Sequence, residues 1–131
     1  MLTRYEIYRG RRPPDDPLPE GIRQDTRRHT RHCLRPTRKI VDAYVASPSD
    51  ATWGLFRDAY FALLEDRYRE DREAFDELAA LAAKNDVILG CSCPTKNNPQ
   101  VGRCHTYLAL EFMTEKYQSL DVKIPGTTGK R

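Results

Sequence analysis

The stretch Asp86-Val87-Ile88-Leu89-Gly90 restricts the fold more than any other part of the chain. Its apolar residues are consecutive rather than alternating, and the run is too short for a helix. Asn85-Asp86 bounds it on one side and Gly90 on the other. A short strand that is apolar on both faces has to be covered on both faces, as in a parallel sheet clothed by helices. The strand therefore needs strand neighbours and amphipathic helices from elsewhere in the chain.

The helices are legible from their period. Trp53, Phe56, Tyr60, Leu63 and Leu64 recur at helical spacing, with Arg57, Asp58, Glu65 and Asp66 between them. Ser49 or Asp50 is the expected cap. A second helix is expected from Asp71 to Ala83, with Phe75, Leu78, Ala79 and Ala82 inward. These aromatic and aliphatic stripes read as core rather than as a cofactor-binding box. Thr37 caps a shorter helix through Ile40, Val41, Tyr44 and Val45, which Ser47-Pro48 ends. Arg103 to Tyr117 reads as a last helix, packing through Leu108, Ala109, Phe112 and Met113. Two further strands are expected, Leu2 to Tyr8 and Leu120 to Ile124.

Between the first strand and the helices lie two irregular segments. Gly10 to Pro19 holds four prolines, so no regular element runs through it. From Ile22 to Lys39 there are seven basic residues and one acid, although the chain's net charge is only +3. Read as a helix from Ile22 to Leu34, this segment would place Arg23, Arg27, Arg31 and Arg35 on one face, without an apolar stripe. The element order predicts the α/β class, with a small, mainly parallel sheet flanked by helices. A single domain is expected over residues 1–125, with residues 126–131 as a polar tail. A chain of 131 residues, 39% hydrophobic and 31% charged, is long enough for one core. No apolar run approaches a membrane span, and the N-terminus has no signal-peptide core, so a cytoplasmic location and no membrane partner are expected.

Chemistry concentrates just past the central strand. Cys91-Ser92-Cys93-Pro94 follows it directly. After a polar loop, Arg103-Cys104-His105 opens the last helix. Ligands of α/β sheets bind beyond the carboxyl ends of strands, and free N–H groups at a helix start favour an anion or a thiolate. Cys93, Cys104, His105 and Cys91 are thus the candidate working side chains. Arg103, Arg28, Arg31, Arg35 and Ser92 are the candidate ligand-binding residues. The loop between is expected to bring Cys93 towards His105.

No cofactor is required by this reading. The alternative is a structural zinc on Cys91, Cys93, Cys104 and His105, but Cys-x-Cys and adjacent Cys-His are crowded spacings for a tetrahedral ion. His29, His32 and Cys33, flanked by arginines, read as surface residues. Phosphate-binding and dinucleotide glycine motifs, the nucleophile elbow and the phosphatase-loop spacing are all absent.

Several features in order resemble the domain-of-unknown-function 488 family, particularly its small YeaO-like branch. They are Trp53, Phe56 and Tyr60 on one helix, then Leu78-Ala79-Ala80-Leu81-Ala82, the Val87-Ile88-Leu89 strand, and Cys104-His105 opening a helix. The resemblance runs over roughly residues 37–124. It implies a compact α/β fold with a pocket near the Cys-His helix start, and a nucleotide- or nucleic-acid-related role. It implies no established activity. The expected function is binding of an anionic small molecule or nucleotide at the cysteine-histidine cluster. The alternatives are a nucleic-acid-binding module using residues 22–39 and a zinc-stabilised interaction protein.

Overall fold

The computed structural model of the chain describes residues 1–92 and 102–125. Three strands and four helices follow in the order β1 (Leu2–Glu6), β2 (Ile22–Asp25), α1 (Arg38–Ala46), α2 (Asp50–Glu70), α3 (Arg72–Lys84), β3 (Val87–Cys91) and α4 (His105–Lys116). The sheet order is β1-β3-β2, and both pairings are parallel. β3 is the central strand, and all five of its residues are buried. Its continuous apolar run has this cause, because neither face of a central parallel strand meets water.

The expected α/β class holds, and so do all four helices outside the basic segment. Each of the first two starts where a side chain satisfies its free N–H groups. Thr37 accepts from the backbone of Ile40. Ser49 and Thr52 form a reciprocal capping box at the head of α2, a device worth about 1 kcal/mol. The core gathers between these helices and the sheet. Tyr60, Leu64, Phe75, Leu89, Leu110, Phe112 and Met113 are all within a few per cent of full burial.

The basic segment departs from its expected form. Residues 22–25 are a strand and not the start of a helix, and the rest of the segment up to α1 is turns. Without an apolar stripe a helix there has nothing to bury. β3, in contrast, has a second edge to be filled, and Ile22 pairs with Val87 and Asp25 with Gly90. Gly21 makes the entry possible. Its φ is +126°, and a Cβ there would lie 2.6 Å from the Asp86 carbonyl oxygen, so only glycine fits.

The expected closing strand, Leu120 to Ile124, reduces to one parallel bridge between Leu2 and Val122. The Leu2 N–H donates to the Asp121 carbonyl, and the Lys123 N–H to that of Leu2. The ladder goes no further. The Lys123 carbonyl is taken by the Thr3 hydroxyl at 2.7 Å, and Pro125 lacks an N–H.

The proline-rich loop is tied to the end of β1. Arg12 donates to the Glu6 carbonyl at 2.5 Å and to the Asp16 carbonyl at 2.6 Å. Gly90 serves packing rather than a bend: a Cβ there would meet Tyr5 and Ile7 side-chain atoms at 2.8 Å. Among the described residues no helix is long and apolar enough to cross a membrane.

Candidate functional site

The carboxyl end of β3, the start of α4 and the turn after β2 meet at one point. Cys91 ends β3, Cys104 caps α4, and His105 is its first residue. All three side chains are buried, each no more than 5% exposed. The Nδ1 atom of His105 lies 3.7 Å from the Cys91 Sγ and 3.7 Å from the Cys104 Sγ. Cys104 has extended backbone, φ −134° and ψ 147°. The chain passes there from extended to helical backbone, and the two adjacent side chains both reach one spot.

The opposite ring nitrogen is held by Thr26, which is fully buried. His105 Nε2 lies 2.8 Å from the Thr26 hydroxyl oxygen, and that hydroxyl donates to the Gly90 carbonyl at 3.0 Å. A hydroxyl has one proton. With that proton given to the carbonyl, the oxygen accepts from His105, so Nε2 carries the imidazole proton. Nδ1 is then the bare nitrogen, and it faces the two sulfurs.

A second relay reaches Cys104. The Arg4 guanidinium donates to the Thr106 hydroxyl at 2.8 Å, and Thr106 donates to the Cys104 Sγ at 3.3 Å. Donors aimed at sulfur stabilise its thiolate form.

Above the cluster lies a pocket of about 400 Å³, within the range of small-molecule sites. Cys91, Ser92, Cys104 and His105 line it. So do Arg9, Arg27, Arg28 and Arg103, with Tyr44, Trp53 and Phe56 forming an aromatic wall. Trp53 and Phe56 stack at 5.1 Å, and the aromatic row continues through Tyr60, whose ring meets His105 edge-on at 5.8 Å.

Three of the arginines have carboxylate partners. Arg27 pairs with Asp25 at 2.8 Å, Arg28 with Asp42 at 3.1 Å, and Arg103 with Asp50. Burial alone would raise the Asp25 carboxyl, but the hydrogen bonds from Arg27 outweigh it and hold the acid below its usual range. Asp50 is 93% exposed and Asp42 58%. Such exposed pairs are worth at most about 1 kcal/mol, so an incoming anion can displace those carboxylates.

The structure thus brings together Cys91, Ser92, Arg103, Cys104, His105 and Arg28 from the expected set. Arg31 and Arg35 instead line a second hollow, of about 480 Å³, with His32, Cys33 and Arg67. Cys93 and most of the loop after it, including the expected approach of Cys93 to His105, lie outside the described residues.

His32 and Cys33 are not surface residues. His32 is half-buried, lies 2.6 Å from Gln24 through Nε2, and accepts the Leu34 N–H at Nδ1. Burial, with His105 nearby, lowers its pKa to about 4. Burial likewise pushes the Cys33 thiol up to about 11, which makes it a poor nucleophile. The sequence reading missed Arg9 and the pocket-lining position of Tyr44 and Trp53. A helical aromatic stripe looks the same whether one end of it is core or pocket wall. Thr26 also went unnoticed, since nothing local marks a threonine that supports a histidine 79 positions away.

A family model described as the active DUF488-N3 subclade matches residues 3–117. The chain belongs to this family. The match begins near the N-terminus, so it takes in the proline-rich loop and the basic segment as well as the region whose motifs resemble DUF488 proteins. Every described residue of the candidate site, from Arg4 to Thr106, falls inside it. Neither a curated protein nor a solved structure matches the chain.

Proposed function

We propose that this DUF488 protein binds an anionic small molecule carrying a flat group, a nucleotide in class, in the pocket over Cys91, Cys104 and His105. The observation that carries the reading is the pairing of guanidinium groups with an aromatic wall around one cavity. Arg9, Arg28 and Arg103 supply phosphate-type contacts, and Trp53 and Tyr44 supply a surface on which a base can lie. Arg9 has no ion-pair partner among the described residues. The nucleic-acid reading draws less support, because the basic excess is divided between two hollows.

Trp53 is the only tryptophan in the chain, so its fluorescence reports the pocket directly. Adenosine diphosphate is expected to quench it saturably, and inorganic pyrophosphate to compete. Arg9→Ala and Arg28→Ala are each expected to weaken binding about tenfold or more, the scale of a lost charge-assisted contact. Pyrophosphate that displaces the nucleotide with an affinity equal to the nucleotide's own would reduce the ligand to its phosphate part. No quenching and no competition, or affinities indifferent to both substitutions and to salt, would refute the proposal.

A further inference from the structure

We infer that Cys91, Cys104 and His105 form a three-ligand site for a divalent transition ion of the zinc type at the floor of the pocket. The inference adds to the anion-binding reading and does not rest on it. Two sulfurs and one imidazole nitrogen lie within 4.8 Å of one another in a buried cluster. Zinc–sulfur bonds of about 2.3 Å and zinc–nitrogen bonds of about 2.0–2.1 Å set sulfur and nitrogen ligands roughly 3.5 Å apart at a tetrahedral angle. Both Sγ–Nδ1 distances are 3.7 Å. The soft donor set excludes magnesium and calcium as occupants.

The surroundings prepare the ligands. A metal-binding histidine donates its other N–H to a second group that fixes its tautomer, and Thr26 is that group for His105. Thr106, backed by Arg4, donates to the Cys104 sulfur and favours the thiolate a metal requires. The sequence argument against zinc was the crowding of Cys91-x-Cys93, whose second cysteine lies outside the described residues, and the adjacency of Cys104 and His105. The observed geometry removes the second objection, since the Cys104 Sγ and the His105 Nδ1 approach to 3.7 Å without a spacer. Among the described residues three protein ligands are offered and a fourth position is left, and all three residues line the arginine-rimmed pocket. The ion would then meet an anionic ligand directly, as in sites that keep an open coordination position.

The test uses the purified full chain with zinc and with cobalt(II) as an optical probe. One metal per chain is expected, with the thiolate-to-cobalt charge-transfer band and the visible bands of a tetrahedral ion. Cys91→Ser and Cys104→Ser should each abolish or strongly weaken that band, and Cys33→Ser should leave it unchanged. Thr26→Val should lower zinc affinity roughly 10–100-fold with the ligands intact. Should the cysteine variants fail to fold, the cobalt spectrum of the wild type and the Thr26→Val affinity still decide. A chain that binds neither metal stoichiometrically, or a charge-transfer band that survives in the Cys91→Ser/Cys104→Ser double variant, would overturn the inference. The readout needs no nucleotide, so its failure is separate from failure of the anion proposal.

Discussion

Replacing Thr26 by valine tests how the histidine is held, and the structure sets the size of the effect. Valine matches threonine in shape, so packing around this fully buried position changes little. The hydroxyl disappears, and with it one bond to the Gly90 carbonyl and one to His105 Nε2. Gly90 keeps a partner, because the Thr26 backbone N–H also donates to its carbonyl at 3.0 Å. His105 does not, and its Nε2–H is left buried without an acceptor. A buried donor stranded in this way costs about 1–3 kcal/mol, so a loss of about 2 kcal/mol is expected. At about 2.1 cal/mol/K of unfolding entropy per residue, a chain of 131 residues then melts about 7 °C lower. Thr26→Ser is the control. It keeps both hydrogen bonds and loses one methyl group, worth about 1 kcal/mol, for a shift of about 4 °C. Melting is followed by circular dichroism at pH 7.5 with chelator present, so that bound metal contributes nothing. If Thr26→Val melts with the wild type, or above Thr26→Ser, the hydroxyl is not what holds His105 and the tautomer assignment falls.

Two further outcomes follow from other parts of the molecule. The pKa of His32 is held near 4 in the folded chain by burial and by His105, against a partial opposing pull from Asp25. The unfolded state takes up this proton near pH 6.5, so between these values it binds more protons than the native state, and stability falls as pH drops from about 6.5 towards 4. This group alone contributes up to about 3 kcal/mol of that loss. Denaturant unfolding of wild type and His32→Gln across this range should show a shallower pH dependence in the variant, and parallel curves would contradict the assignment. Gly21→Ala forces a side chain into a left-handed position against the Asp86 carbonyl, and is expected to cost roughly 1–3 kcal/mol. Gly10→Ala meets nothing within 4 Å and is expected to be near neutral, and equal midpoints for the two variants would refute the steric reading.

Local features of the chain determined the helices, the central strand and the neighbourhood of the site. Helix period, Thr37 and Ser49 as caps, and the continuous apolar run of β3 are all set within a few residues of one another, and each is legible without knowing what lies across the fold. The family resemblance rested on those same stretches. What only the tertiary structure decided is what depends on partners far away in sequence. Residues 22–25 are a strand because β3, some 65 positions later, offers them an open edge; their own composition gives no strand signal, and their arginine spacing imitates a helix face. Arg28 and Arg31 stand three positions apart yet line different hollows, because the turns after β2 send them in different directions. The cysteine-histidine cluster shows the same division. Its residue types and its place past a strand end were plain in the sequence, but the spacing between Cys104 and His105 argued against their sharing a ligand. The fold brings the two side chains to 3.7 Å of each other at the helix cap, and Thr26, brought in by strand pairing, holds the nitrogen of His105 that faces away from the sulfurs.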